Sequence, residues 1–201
     1  MSTTASGLQG DKGAGRRRTL YVQIVVDVES VLLAHPPSSG KAPTKVPYDP
    51  QQFIVTTTQG VAVNAKGVIG LHAREGDTVR FYALSGSNNF DGAALMSAVE
   101  SRADGAILED FALVELPAET AVPVPGAQPP SEAPVEEDFW FWQSRVTAAG
   151  IEPYRLVLAL YDRDETTGQP HFAGLYQWNL RIRVFGDATS TTGQNEEEEN
   201  S

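Results

Sequence analysis

The stretch TLYVQIVVDVES, residues 19–30, decides the fold class because its apolar side chains recur at every second position. One face carries Leu20, Val22, Ile24, Val26 and Val28. Alternation of this kind is typical of a β-strand that is buried on one side. The predicted strand continues through Glu29, so Asp27 and Glu29 lie on its outer face, about 7 Å apart.

Similar short apolar segments follow along the chain, separated by turn residues, and no long helix is predicted. The turn DRDETTGQP, residues 162–170, joins two of these segments as a hairpin. The pattern predicts an all-β fold, an antiparallel β-sandwich of about eight or nine strands with long Pro-rich loops. The further predicted strands lie in residues 52–60, 68–86, 92–99, 106–116, 138–146, 153–162 and 175–186.

Proline-rich and charged segments set the predicted boundaries. Residues 34–50 and 117–137 are rich in proline, which has no N–H to donate to a sheet, so both are predicted loops. Residues 1–18 lack periodicity and residues 187–201 contain a run of glutamates, so both are predicted disordered tails. The expected domain is therefore a single sandwich over residues 19–186.

The segment EEDFWFWQSRV, residues 136–146, places four aromatic residues in a row. Trp140, Trp142, Ser144 and Val146 fit a core face. The opposite face, with Phe139 and Phe141, then needs a cover, which we expect to be the proline-rich segment before it or another subunit.

Composition excludes several classes of function. The 201 residues include no cysteine and carry a formal net charge of −11, which argues against thiol chemistry, nucleic acid and anionic membranes. No leader-like or membrane-spanning segment is recognised, so a cytoplasmic location is expected. The three histidines, His35, His72 and His171, share no ligand spacing, so no zinc site is predicted.

Oxygen-bearing side chains near predicted strand ends provide the candidate site. The predicted ligand-binding residues are Asp27, Glu29, Asn88, Asn89, Asp91 and Trp178, with Tyr176 as a further aromatic. The alternative to a protein without cofactor is a calcium site, with ligands Asp27, Glu29, Asp91, Asp162 and Asp164. Taken alone, the Asn and Asp residues of the turns are explained by turn formation, and Asp27 with Glu29 is explained as a solvated acidic pair on the surface.

Four segments in order resemble the bacterial inclusion-body protein family, the PixA/AidA group. These are YVQIVVDVESVLLAHP, EGDTVRFYALSGSNNFDGAAL, EEDFWFWQSRV and LYQWNLRIRV. The resemblance implies a small, cysteine-free, all-β cytoplasmic protein, with expression linked to stationary phase or quorum sensing. This chain has only Met1 and Met96, whereas the inclusion-forming members are rich in methionine.

The sequence favours two classes of function. The first is a non-enzymatic protein that associates with itself as a homo-oligomer. The second is a lectin-like module for a small polar ligand or carbohydrate, with or without calcium. An enzyme is disfavoured because no nucleophile–base set is recognised.

Overall fold

The computed structural model describes residues 17–38, 42–58, 60–61, 66–103, 107–123, 126, 132–164 and 166–186. Within these ranges the chain forms eleven strands and one short helix. In chain order they are β1 (Thr19–Val26), α1 (Val28–Ala34), β2 (Thr44–Val46), β3 (Phe53–Thr57), β4 (Gly60–Val61), β5 (Val68–His72), β6 (Thr78–Ser85), β7 (Ala93–Ser101), β8 (Ala112–Pro123), β9 (Glu132–Arg145), β10 (Gly150–Arg163) and β11 (Pro170–Phe185).

The strands form two sheets that pack face to face. The first sheet has the order β4-β3-β1-β6-β9-β8, and the second has the order β2-β11-β10-β7 with β5 also paired to β11. The all-β class is therefore confirmed. The pairs β1–β6, β2–β11 and β5–β11 are parallel, so the prediction of a purely antiparallel sandwich is wrong for them. Alternation reveals which face of a strand is buried, but it carries no information about the direction of its neighbour.

The hydrophobic core lies between the sheets. Phe53 of the first sheet and Trp178 of the second bring their ring centroids to 5.0 Å. The alternation of β1 is confirmed, since Leu20, Val22 and Ile24 are buried in this core. Burying a side chain of this size contributes about 1.5–3 kcal/mol, so the apolar face of β1 anchors the first sheet.

Strand β1 ends at Val26, and the prediction that it continues through Glu29 is wrong. Asp27 is the N-cap of α1, with Oδ1 accepting a hydrogen bond from the Ser30 N–H at 3.1 Å and Oδ2 accepting one from the Ser30 hydroxyl at 2.7 Å. Val28 and Val31, three positions apart, are the buried residues of the helix. Asp27 followed by Glu29 in the first turn is a helix-start signal. Because Val28 also continues the strand alternation, that signal was missed.

The proline-rich segment 117–137 pairs as strands over residues 117–123 and 132–137, so the prediction of a loop there is wrong. β8 and β9 are antiparallel from Ala112↔Gln143 to Pro123↔Glu132. Because β8 is an edge strand, Pro117 interrupts no ladder on its outer side. The segment 34–50, by contrast, is irregular in its described residues between α1 and β2 and again after β2.

Much of this β8–β9 ribbon extends beyond the sheet. The pairing of β9 with β6 stops at Phe81↔Trp142, whereas its pairing with β8 continues to Glu132. We call the ribbon of residues 112–123 and 132–141 the arm; it is two-stranded from the pair Val114↔Phe141 onward. Among the described residues its strands hydrogen-bond as ladders only to each other.

The tryptophan face of the aromatic run is only partly in the core. Ser144 and Val146 are buried, and the indole of Trp142 donates to the carbonyl of Met96 at 3.0 Å. Trp140 shares their face but lies on the arm, where it is 54% exposed. Its predicted burial is wrong because the strand outruns the opposing sheet.

Phe141, on the other face, is only 7% exposed. Its cover comes from the first sheet itself, because the rings of Tyr21 and Tyr82 lie at 5.6 and 5.8 Å and the Arg80 guanidinium lies 5.3 Å above it. Phe139 stacks on Phe141 at 6.3 Å. The expected cover by the proline-rich segment is not what shields this ring.

The start of β1 is fastened by an ion pair between the exposed Arg18 and the buried Asp77. Asp77 accepts hydrogen bonds from the Arg18 N–H at 2.9 Å, from the Arg18 guanidinium at 2.9 Å and from the Arg74 N–H at 3.0 Å. Burial alone would raise the pKa of the Asp77 carboxyl, but these hydrogen bonds outweigh it and hold the pKa below its usual value. Arg18, which the sequence assigned to the tail, is thus bonded to the domain, whereas residues 1–16 and 187–201 lie outside the described residues.

We predict that truncating two neighbouring aromatic side chains lowers the free energy of unfolding by very different amounts. Phe141→Ala removes a ring packed by two tyrosines and should lower the free energy of unfolding by about 3–5 kcal/mol. Trp140→Ala removes an exposed ring and should change it by less than about 1 kcal/mol. Urea unfolding of both variants measures the difference, and equal losses would show that the arm is covered within the monomer.

The Asp77 pair predicts a pH-dependent contribution. Because the folded pKa is depressed, the stabilisation is present above the usual aspartate pKa, about 3.9. It is lost as the pH falls through the folded value. Asp77→Asn should cost about 1–3 kcal/mol near pH 7. This cost should shrink steadily in unfolding measurements taken from pH 5 downward, and a cost that stays constant to pH 2 would contradict the assignment.

Candidate functional site

A cleft of about 660 Å³ opens at the end of the molecule where β1 and β6 finish side by side. Its lining combines four carboxylates and one guanidinium with amides, hydroxyls and an apolar floor. The residues are Val25, Asp27, Val28, Glu29, Leu32, Gln51, Gln52, Ile54, Ser85, Gly86, Ser87, Asp91, Gly92, Asp162 and Arg163.

The first wall is the beginning of α1. The Asp27 N–H donates to the Gln52 carbonyl at 2.9 Å, and the Gly86 N–H donates to the Val26 carbonyl at 2.9 Å. These two bonds hold the end of β1 between the start of β3 and the end of β6. Both carboxylate oxygens of Asp27 accept hydrogen bonds from Ser30 as the helix cap. Glu29 lies in the first turn of the helix and is the second carboxylate on this wall.

The second wall is the turn after β6. Asn89 adopts the left-handed conformation, and its Oδ1 accepts hydrogen bonds from the Ser85 N–H at 2.7 Å and the Ala94 N–H at 3.0 Å. Asp91 is held by its own N–H, which donates to the Ser87 hydroxyl at 3.0 Å. At Gly92 a Cβ atom would lie 3.1 Å from Val28 Cγ1, so a small residue allows the turn to approach α1.

The third wall is the β10–β11 hairpin, which confirms the predicted turn at 162–170. Asp162 faces the His171 ring across the hairpin, with Oδ1 3.0 Å from Nδ1. The Arg163 guanidinium donates to the carbonyls of Phe90 and Gly168 and lies 5.3 Å above the Phe90 ring. Arg163 therefore ties the hairpin to the second wall of the cleft.

The structure thus brings together four of the predicted site residues, Asp27, Glu29, Asp91 and Asp162. Asn89 shapes the turn instead of lining the cleft, and Asn88, also left-handed, likewise lies outside the lining. Asp164 is turned to its own loop, where the Thr167 N–H and hydroxyl, together with the Thr166 N–H, hold its pKa below the usual value.

The predicted aromatic platform is wrong. Trp178 and Tyr176 are fully buried in the core, so neither ring can stack on a ligand at the surface. The assignment failed because Tyr176, Gln177 and Trp178 are all buried, and alternation cannot identify the exposed side of such a segment.

The charge of the cleft favours a cationic or polyhydroxylated ligand over an anion, because its carboxylates outnumber its guanidinium. Across the described ranges, no group of three or more His, Asp or Glu side chains is placed to hold a metal ion. The predicted five-carboxylate set is not gathered there, since Asp164 lies outside the cleft. Calcium binding stays a prediction.

The arm was not predicted as an exposed apolar surface. Leu113, Leu116, Val135 and Trp140 are exposed along it. The signal was available, because apolar and aromatic residues flank the prolines on both sides. The prolines themselves led to the prediction of a loop.

Comparison with known protein families identifies the family of this chain. The chain matches the PixA family, described as inclusion body protein, over residues 18–184. It belongs to the PixA family. This confirms the resemblance noted in the sequence, including the span of its four segments.

A solved structure shares the architecture. The crystal structure of the inclusion body protein PixA from Burkholderia cenocepacia J2315 superposes with a TM-score of 0.66 at 20% sequence identity, covering 86% of this chain and 98% of that one. At this identity the likeness concerns the fold. No curated protein matches the chain, and no helix in the described part of the PixA-family chain is long and apolar enough to cross a membrane.

The capping role of Asp27 gives a prediction that separates structure from binding. Asp27→Ala should lower the free energy of unfolding by about 0.5–2 kcal/mol through loss of the cap. Asp27→Asn, which keeps a capping oxygen, should be close to wild type. Thermal unfolding measures both, and an equally large loss in the Asn variant would show that the carboxylate charge matters beyond the cap.

Proposed function

We propose that this chain is a non-enzymatic, cytoplasmic member of the PixA family that associates with itself through the arm. Expression linked to stationary phase or quorum sensing is part of the same proposal, on the resemblance to the family. The observation that carries the proposal of self-association is the exposure of large apolar side chains along a projecting ribbon.

The exposed residues of the arm are unusual for a monomer. Leu113 and Trp140 are 52% and 54% exposed, and Leu116 and Val135 lie further along the same two strands. Leu113 and Trp140 share one face of the arm, whereas Leu116 and Val135 lie on the other. Exposed large apolar side chains clustered in this way typically mark an interaction site. A two-stranded ribbon is also only marginally stable in water, so an arm of this length gains from a partner.

The absence of an enzymatic function is proposed from chemistry. Cysteine is absent from the sequence. His72 stacks on Phe185 at 4.7 Å and His171 faces Asp162, whereas His35 is the C-cap of α1. The described histidines therefore serve three separate local contacts and do not form one nucleophile–base arrangement.

Self-association is tested by sedimentation velocity over a range of protein concentrations. The wild-type chain should show a rising mean sedimentation coefficient. Trp140→Ser combined with Leu113→Ser should weaken the association by at least about tenfold, because the two side chains share one exposed face and aromatic anchors dominate interface energies.

A matched control is Leu33→Ser on α1, which removes a leucine that is 84% exposed and far from the arm in sequence. This variant should associate like the wild type. A wild-type chain that stays monomeric at every concentration would refute the proposal, and equal weakening by the control would show that the arm is not the contact.

The cleft supports a second candidate, a binding site for a small polar ligand such as a carbohydrate. The observation in its favour is the convergence of Asp27, Glu29, Asp91 and Asp162 from three separate segments. Carboxylate and amide groups are suited to accept hydrogen bonds from sugar hydroxyls. The loss of Trp178 as a platform leaves this candidate dependent on polar contacts.

A glycan array with and without millimolar calcium tests the second candidate, and calorimetric titration tests calcium alone. Glu29→Gln should abolish any binding that is found, whereas Glu75→Gln, an exposed glutamate in the β5–β6 connection, should leave it unchanged. Blank arrays and a flat calcium titration would leave self-association as the only function proposed.

A further inference from the structure

We infer that the arm of one copy docks on the outer face of the second sheet of another copy, against Arg181 and Arg183. The inference rests on the proposed self-association and specifies the two surfaces that meet. It follows from the charges and the strand register of these surfaces.

The arm has two chemically different faces. Directly paired residues share a face, and the pairs are Glu115↔Trp140, Pro117↔Asp138 and Glu119↔Glu136. All of these side chains are exposed. We call this the carboxylate face, defined by Glu115, Glu119, Glu136, Asp138 and Trp140. The opposite face carries Phe139, Phe141 and Leu116 and is partly covered by the first sheet.

The carboxylate face has no cation of its own. Between Arg102 and Arg145 the sequence contains no lysine, arginine or histidine. Glu119 and Glu136 lie directly opposite each other, an arrangement that is destabilising unless a positive group compensates it. A positive group from elsewhere in the molecule or from a partner would relieve this repulsion.

The outer face of the second sheet offers a cationic surface. Leu180, Ile182 and Val184 of β11 are buried, so Arg181 and Arg183 point outward and are exposed. Their partners in the register are Pro153 and Ile151 of β10, which are also exposed. We call these four residues the arginine face.

The two faces match in spacing as well as in sign. Glu136 and Asp138 are two residues apart on one strand, and so are Arg181 and Arg183, so both pairs repeat at about 7 Å. Trp140 continues the carboxylate row, and Ile151 and Pro153 flank the arginines. Docking brings the carboxylates of the arm to the guanidinium groups of Arg181 and Arg183, which favours Arg–carboxylate hydrogen bonds. It also brings the Trp140 ring to the apolar side chains of Ile151 and Pro153, where the ring can be buried.

The docking uses faces and not strand edges. β8 is the free edge of the first sheet, and Pro117 within it has no N–H to donate to a further strand. The glutamates of the arm also oppose the approach of an identical acidic edge. Association by strand addition at β8 is therefore disfavoured.

The test uses two charge-reversed proteins. One carries Arg181→Glu and Arg183→Glu, and the other carries Glu136→Lys and Asp138→Lys. Each alone should associate at least about tenfold more weakly than wild type, because its arm and its sheet then bear the same sign of charge. An equimolar mixture should recover association, since each arm finds an oppositely charged sheet on the other protein.

The control carries Arg17→Glu and Arg145→Glu, two exposed cations that lie outside the second sheet, and should associate like the wild type. Circular dichroism verifies that all variants are folded. A monomeric wild type would overturn both self-association and this docking. An associating wild type with unaffected charge-reversed variants would overturn the docking alone, as would a mixture that fails to recover.

Discussion

The parallel pairing of β1 with β6 is the constraint on which the other features depend. Eight residue pairs, from Thr19↔Thr78 to Val26↔Ser85, align the two strands in the first sheet. Parallel neighbours cannot be joined by a hairpin, so the chain between them must leave and return. On this excursion β3 pairs with the other side of β1, whereas β2 and β5 enter the second sheet. The connection from β5 to β6 then crosses between sheets, and Asp77 fastens its return to Arg18.

The same pairing creates the cleft. Because parallel strands end at the same edge, the residues that follow β1 and β6 emerge together. Asp27 and Glu29 therefore face the turn that carries Asp91. The β10–β11 hairpin closes the third side through Arg163, whose guanidinium bonds the Phe90 carbonyl. An antiparallel arrangement of β1 and β6 would have sent these acids to opposite ends of the sheet.

Local patterns in the sequence predicted what depends on local physics. The apolar face of β1 and the hairpin at 162–170 follow from alternation and turn chemistry, and the structure bears them out. The strand predicted at 92–99 is found as Ala93–Ser101. The convergence of Asp27, Glu29, Asp91 and Asp162 followed from placing oxygen donors in end loops. The start of α1 was missed because Val28 fits both the two-residue period of a strand and the apolar face of a helix. Trp140 was expected in the core and is exposed, whereas Trp178 was expected at a surface site and is buried. Alternation cannot show where an opposing sheet ends, or which strands are covered on both sides.

The position of β11 has a consequence for how the chain is made. β11 is the last described strand, yet it lies between β10 and the much earlier β2 and β5. Synthesis proceeds from the N-terminus, so the strands of the first sheet are complete once Arg145 has emerged, whereas β2 and β5 still lack their neighbour. The buried side chains of β5, Ile69 and Leu71, remain without their sheet until Phe185 follows. At ribosomal rates this interval lasts roughly 2–8 s. The nascent chain therefore passes through a period in which one sheet presents an uncovered apolar face, and chaperones that bind such faces have that time to act.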